Sequence, residues 1–301
     1  VVTVHLTTDV AKADAAIGPW LRRDPVANNQ ELLLMAAHVG HLADAVAGAV
    51  VPASSPPPPT ARFWWVTRGD YLSGFALQIS PDRRLHVRTD DLSIVPDLVS
   101  AVAEEAPCVP GVSGQVQAAA SFAAAWATHR HTRVAVAMFQ RYYRLDPRRL
   151  IPPPPVPGTA RPATTQDLDV TILPWAAGFQ REVHLQREPA TAVDLHALRR
   201  DLSARVERGE IVFWDDGDAK AMACAPRPTD GVSRIHLVYT PPDVRGQGLG
   251  AAVTAAAVEH ALATGASHCT LFTDLANPTS NAVYQRLGFQ AVTEALNIDF
   301  G

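Results

Sequence analysis

The sequence predicts an α/β protein made of two similar halves, each a mixed, mostly antiparallel sheet flanked by helices. Three observations carry this. At 301 residues the chain is about twice the usual length of a domain. A proline cluster, Pro152 to Pro155 with Pro157 and Gly158 behind it, lies at the midpoint and reads as an extended, semi-rigid linker. The hydrophobic patterns on either side of it run in nearly the same order, so residues 1–150 and 159–301 read as two domains joined by 151–158.

In the first half a strand at Val2–Leu6 precedes helices near Ala11–Leu21 and Asn29–Ala47. Strands follow at Phe63–Val66, Gly74–Ile79 and Leu85–Thr89, then helices near Pro96–Glu105 and Gln115–Thr128 and a long strand at Arg133–Tyr143. Pro56 to Pro59 read as a solvated loop. In Val-Pro-Gly-Val-Ser-Gly, Gly111 and Gly114 suggest a tight connection. Trp64 with Trp65, and Tyr142 with Tyr143, alternate across strands, which sends one of each pair to the core and the other to a surface or interface.

In the second half a short strand lies near Arg161. Thr164 or Thr165 is placed to cap a helix at Asp167–Leu185, and Thr191 one that runs to Arg208. Strands at Ile211–Trp214, Ala219–Ala225 and Arg234–Thr240 are separated by Asp-Asp-Gly and Pro-Thr-Asp-Gly turns. A helix at Gly248–Ala263, a buried strand at Cys269–Thr273, a helix at Thr279–Leu287 and a last strand from Phe289 towards Phe300 close the order.

Composition narrows the function. Lys and Arg number 26 against 30 Asp and Glu, a formal charge of −4, so there is no basic field for nucleic acid. Charged residues at 19 % against 47 % hydrophobic place the chain among globular proteins. Cys108, Cys224 and Cys269 form no C-x-x-C pair, which argues against a disulfide framework or thiolate zinc and fits a reducing, cytoplasmic setting. No apolar run approaches the ~18 residues of a membrane span, so no membrane partner is expected. His129 and His131 lack a carboxylate at metal spacing, and no metal is assigned.

The chemistry concentrates in Val-Tyr-Thr-Pro-Pro-Asp-Val-Arg-Gly-Gln-Gly-Leu-Gly, Val238 to Gly250, which runs directly into a helix. Gly246, Gly248 and Gly250 let the backbone turn and present N–H groups at a helix N-terminus, where the macrodipole also favours anions. Arg245 adds a permanent charge with several donors. This is a phosphate cradle. Gly246, Gly248 and Ala251 also satisfy the G-x-G-x-x-A of a dinucleotide turn, with Asp274 downstream. There, however, the glycines follow the strand at once, whereas here Pro241, Pro242 and Asp243 intervene and no further βαβ units follow.

The loop resembles the R-x-x-G-x-G of the GNAT superfamily of acyl-CoA-dependent N-acetyltransferases, in register from Arg245 to Gly250. Thr273 to Phe289 is similar to that family's second motif, N-x-x-x-N followed by Y-x-x-x-G-F, with Asn277, Asn281, Tyr284 and Gly288 in place. The resemblance covers roughly Arg161 to Gly301 and extends weakly to the first half, which reads as a degenerate copy. Its corresponding loop, Arg88 to Asp97, has no glycine and places Asp90 and Asp91 ahead of the helix, so it implies no phosphate site.

What the resemblance implies is an N-acetyltransferase moving an acetyl group from acetyl-CoA to a small-molecule or peptide amine. Val238, Tyr239 and Thr240 would pair with the pantetheine arm, Arg245, Gly246, Gln247, Gly248, Leu249 and Gly250 would hold the pyrophosphate, and Asn277 would reach the cosubstrate. A protonated alkyl amine must lose a proton before it attacks, and the leaving thiolate benefits from an acid. Tyr284, at the motif's tyrosine position, is the candidate acid. For the base, period-two alternation places His236 on the strand face of Val238 and Thr240, and Glu182 or a water chain are the alternatives. A non-catalytic acyl-CoA sensor or scaffold that kept the cradle remains the competing reading. Cys224 and Cys269 lie within strands and offer no evident nucleophile. Trp175 and Trp214 are placed either to line a substrate pocket or to pack in the core.

Overall fold

Alternating apolar residues put one face of each strand into a core, and the strands form close to where that alternation places them. A computed structural model describes residues 1–36, 61–106, 108–184 and 194–301. In the first half β1 (Val2–Thr7) is followed by α1 (Val10–Leu21), α2 (Asn29–Ala36), β2 (Arg62–Arg68), β3 (Tyr71–Gln78) and β4 (Leu85–Thr89). Then come α3 (Val95–Glu105), β5 (Gly111–Gln115), α4 (Val116–Arg130) and β6 (Val134–Leu145). The second half contains β7 (Thr159–Pro162), α5 (Leu173–His184), α6 (Leu195–Glu207), β8 (Ile211–Asp215), β9 (Ala219–Cys224), β10 (Val232–Arg234) and β11 (His236–Tyr239). α7 (Leu249–Ala263), β12 (His268–Asp274), α8 (Pro278–Arg286) and β13 (Gln290–Phe300) complete it. The helix expected beyond Ala36, the loop at Pro56 to Pro59 and the cap at Thr191 lie outside the described residues.

Local chemistry corrects several details. The segment expected as a tight connection is a strand, β5. The first helix of the second half opens as a π turn at Leu168–Ile172. Thr164 does not cap it: its N–H and hydroxyl both donate to Asp167, at 2.8 Å. Arg161 bonds the same carboxylate and holds it down at about 2. Asp194 caps α6 by accepting from the amides of His196 and Ala197. Tyr142 and Tyr143 are both buried: Tyr143 packs in the core with α7, while Tyr142 packs against Phe272 and donates to Val26 O at 2.6 Å. Trp64 is buried, and its neighbour Trp65 stacks on His5 with ring centroids 5.0 Å apart.

The larger surprise is topological. A simple duplication would leave each half with its own sheet. Instead, nine strands run β1-β2-β3-β4-β5-β13-β6-β12-β10, and four more run β11-β9-β8-β7. The last strand of the chain lies between β5 and β6 of the first half, antiparallel to both. In return β6 pairs antiparallel with β12 of the second half. Each half therefore lends its final strand to the other.

The cores follow the hydrogen bonds. Leu296 and Ile298 of β13 belong to the first half's core, with Leu98, Phe122 and Trp126 of α3 and α4. Tyr143 and Leu145 of β6 belong to the second half's core, with Val253 and Val258 of α7 and Leu287. Two further cores lie on the opposite sheet faces, under α1 and α2 and under α5 and α6. The segment 151–158 is extended and tied to the second half: Trp214 Nε1 donates to Pro157 O at 2.8 Å, and Ile151 N to Leu287 O at 3.0 Å. No helix among the described residues is long and apolar enough to cross a membrane.

The exchange predicts that the halves unfold together. Leu296→Ala, which deletes a second-half side chain from the first half's core, should cost about 2–5 kcal/mol in urea unfolding while the transition stays single. Separate transitions for the two halves, or an unchanged midpoint, would contradict the interlock.

Candidate functional site

The stretch expected as one strand, Arg234–Thr240, is two. β10 pairs parallel with β12, and β11 pairs antiparallel with β9 in the other sheet. The chain changes sheets at Ile235, so beyond that point β11 and β12 diverge. A bulge accompanies the change: His236 and Tyr239, three apart, stand opposite Cys224 and Met222, two apart, and Leu237 takes φ +52°. The extra residue breaks the alternation on which the placement of His236 rests. Val238 packs towards α7 and α8, whereas Leu237 and Tyr239 pack towards α5 and α6. His236 shares the face of its partner Cys224, opposite Val238.

The divergence opens onto a cleft of about 1970 Å³ that residues of both halves line, among them every catalytic and cosubstrate-binding candidate named from the sequence. At one end lies the glycine loop. Gly246 and Gly248 adopt φ +80° and +84°, conformations that L side chains rarely take, and a Cβ on Gly246 would meet nothing within 4 Å. Gly250 needs no such freedom, since its Cβ would sit 3.6 Å from Thr240 Oγ1. The N–H groups of Gly246, Gln247, Gly248, Leu249 and Gly250 donate to no described residue, while those on either side, Arg245 and Ala251, bond to Pro242 O and Gly248 O. Five consecutive open donors at the start of a 15-residue helix form an anion site. The residues present thus suit a pyrophosphate.

Arg245 is committed differently from the expectation. Its Nη2 donates to both oxygens of Glu182, at 2.8 and 2.9 Å, and its Nε to Thr240 O at 2.9 Å. Glu182, the alternative base, is therefore tied at the rim, with Tyr239 Oη a longer 3.4 Å away. Asn277 spends its side-chain oxygen on capping α8, accepting from Ser280 N at 3.0 Å. That leaves its Nδ2 for any ligand. Asn281 accepts from Tyr143 Oη at 3.0 Å and donates to Asp274 O and Asn277 O, so the second asparagine of the motif holds the turn.

Tyr284 lines the cleft with its ring packed edge-on to Phe289 and tilted against Tyr143. Burial pushes its hydroxyl up to about 12, so it stays protonated at neutral pH, and no described residue hydrogen-bonds it. His236 Nδ1 lies 3.0 Å from Arg234 O and must donate to it, which fixes Nε2 as the acceptor. The residue is half-buried, yet Nε2 is sealed and unpartnered. Desolvation, then the nearby Arg205 guanidinium, hold its pKa well below the ordinary 6.5. Burial likewise raises the thiols of Cys224 and Cys269 to about 12, which keeps both from being thiolates. Trp175 packs edge-on against Phe213, and neither Trp175 nor Trp214 lines the cleft.

The first half lacks the opening. There β4 and β5 remain hydrogen-bonded in parallel, from Leu85 opposite Val112 to Val87 opposite Gly114. Gly114 permits this approach, since a Cβ on it would fall 2.2 Å from Val87 O. Asp91 caps the short turn after β4 and pairs with Arg68. Among the polar residues of the cleft that the sequence reading missed are Gln30 on α2 and Arg234. The available signal for the second was a charged side chain placed inside a strand between Val232 and Ile235.

A sequence model of the acetyltransferase (GNAT) family matches residues 176–289. A mycothiol acetyltransferase of Saccharopolyspora erythraea is 37 % identical over 60 residues, which is 20 % of this chain and 20 % of that protein. The chain thus aligns with only about a fifth of that relative's length. Among solved structures, a GCN5-related N-acetyltransferase from Sphaerobacter thermophilus superposes with a TM-score of 0.61 at 14 % identity, covering 99 % of this chain and 95 % of that one. A tandem GNAT protein from the clavulanic acid biosynthesis pathway gives 0.51 at 15 % identity, covering 99 % and 98 %. Residues 176–289 are accordingly an acetyltransferase domain of the GNAT family, within a chain folded as two GNAT-like units in tandem.

Proposed function

We propose that the second half, residues 159–301, transfers an acetyl group from acetyl-CoA directly to an amine, and that the first half carries no cofactor site. The run of five uncommitted N–H groups at the start of α7, beside strands that diverge, carries this reading. Gly246 to Gly250 bind the pyrophosphate, and Val238 to Thr240 offer backbone groups to the pantetheine amides, as a strand edge does to a peptide. Pro241 and Pro242, lacking N–H groups, end the strand there.

Bound acetyl-CoA supplies the activated acyl carbon as a thioester. The amine nitrogen bonds to that carbon as the carbon–sulfur bond breaks. The ammonium first gives one proton to water; His236 Nε2 takes the second, which the nitrogen loses as it becomes an amide, and Tyr284 gives its proton to the sulfur and regains one from the imidazolium through water. A buried acceptor without a donor costs about 1–3 kcal/mol, and turning the ring so that the sealed Nε2 meets an amine N–H removes that cost. Arg245 and Glu182 fix the rim of the loop against α5.

Calorimetric titration with acetyl-CoA tests the reading, with one site per chain expected and no binding of NAD. Gly248→Glu should abolish that binding with the fold retained, since it places a charged side chain where the phosphates approach, at a φ that costs about 1–2 kcal/mol. Binding that survives the change removes the cradle from the account. Tyr284→Phe should lower kcat about 10–100-fold with the acetyl-CoA Kd unchanged. Acetyl-CoA binding without turnover of any amine would favour a sensor.

His236 makes a separate prediction about pH. Its folded pKa lies below the unfolded value near 6.5, so its stabilising contribution is present above pH 6.5 and is lost as pH falls towards the folded pKa. Urea midpoints compared at pH 7.5 and 5.5 should therefore drop less in His236→Gln than in the parent. Equal drops would mean that the ring titrates freely.

A further inference from the structure

We propose that Arg234 anchors a carboxylate on the amine acceptor, so that the substrate is an amino-acid-like zwitterion whose amine faces His236. The inference rests on the acetyltransferase reading of the cleft. Arg234 ends β10, where the chain leaves one sheet for the other, and only 6 % of it is exposed. Its guanidinium lies over the Phe272 ring, 5.8 Å from the centroid, and Nη1 donates to the side-chain oxygen of Gln30 on α2. No carboxylate among the described residues pairs with it. Its Nε and Nη2 are not among the sealed, unpartnered atoms, so these donors open on the cleft that Arg234 lines.

The neighbouring cations are satisfied. Arg205 is bound by Asp201 at 2.9 Å and Glu210 at 3.4 Å, and Arg245 by Glu182. Glu31, beside Gln30 on α2, is held by His86 at 3.0 Å. Arg234 is thus a buried cation with a neutral partner, an arrangement that costs free energy until an anion arrives. Burial brings its guanidinium down to about 10, which still leaves it charged at neutral pH.

The planar fork of an arginine matches a carboxylate in bidentate geometry. A phosphate dianion would call on a second cation, and Arg205 is already taken. His236 is the second residue along, about 6.6 Å of strand at 3.3 Å per residue, and its Nδ1 is bonded to the carbonyl of Arg234 itself. The open donors of Arg234 and, once the His236 ring turns to bring the sealed Nε2 into the cleft, that unpartnered acceptor therefore complement the two ends of one small molecule. Because Gln30 belongs to the first half, that half becomes a wall of the acceptor pocket.

The experiment uses the full chain with acetyl-CoA and matched amines offered as free acid and as primary amide, namely phenylalanine, glutamine and β-alanine with their amides, and phosphoethanolamine as the phosphate arm. The acid of at least one pair should show a kcat/KM at least tenfold above its amide. Gln30→Glu, which supplies an internal carboxylate without removing the cation, should bring that ratio to about one, mainly through KM, with the acetyl-CoA Kd unchanged. Arg234→Met should do the same, and Arg234→Lys should keep part of the preference, so a misfolded methionine variant does not decide the matter. Equal rates for acid and amide in every pair, turnover of no acid while acetyl-CoA binds, or preference for phosphoethanolamine over every acid would each overturn this inference alone. Absence of acetyl-CoA binding would overturn the acetyltransferase reading and this one together.

Discussion

Everything that makes this chain a candidate enzyme depends on one break in hydrogen bonding, the step at Ile235 where a strand gives up one sheet for another. Backbone groups inside a protein must find partners, so a strand rarely leaves its neighbour without a replacement. Here β10 satisfies itself on β12 and β11 on β9. The edges of β11 and β12 that face each other are left for a ligand. The bulge at Leu237 adds the residue that lets the strand turn away, and the same insertion sends His236 and Val238 to opposite faces. One irregularity thus sets the opening, the strand edge beside it and the position of the histidine.

The two halves show how narrowly such an opening is poised. They share an order of elements, yet the first half closes where the second diverges. The difference lies in the residues of β5: with glycine at 114 the strand comes close enough to stay hydrogen-bonded to β4, so the two do not splay apart. A half without a cleft is not thereby idle. By exchanging β13 and β6 it fixes β12, one wall of the surviving cleft, and it lays α2 over the face where Arg234 emerges. The exchange also makes each core incomplete without the other half, which holds the cleft's walls at a set distance.

The elements and the loop were legible in the sequence because they rest on local chemistry. Periodicity places β1 to β4 and α7 within a few residues of their observed ends, and the glycines at 246 and 248 announce a backbone of positive φ. What was not legible is non-local. Nothing in the alternation of β13 says that it pairs with β5 rather than closing its own half, since a strand with two buried faces suits either neighbour. The bulge is equally silent, because Ile235 to Val238 reads as an ordinary strand until its partners are known. The roles of Arg245 and Asn277 shifted for the same reason: sequence shows what a side chain can bond, while the fold decides whether Glu182 or Ser280 reaches it first.

Inside the cleft, which groups are already bonded separates what holds the protein from what awaits a ligand. Arg205 divides its donors between Asp201 and Glu210, and Arg245 holds both oxygens of Glu182. The Arg205 group is buried, so removing a member would leave a stranded charge, whereas the Arg245–Glu182 pair stands at the exposed rim. The uncommitted groups differ in kind: five amides at one end of the cleft, and the buried Nε2 of His236 beside the open donors of Arg234 at the strand break. Of these only the histidine nitrogen is sealed and costs stability in the empty protein; Gly246, Gln247 and Gly248 are exposed, so water can serve their amides. On the acetyltransferase reading proposed above, the five amides would meet the anionic carrier and the donors of Arg234 the anionic acceptor, and both sets line one cleft with the histidine that would take the proton.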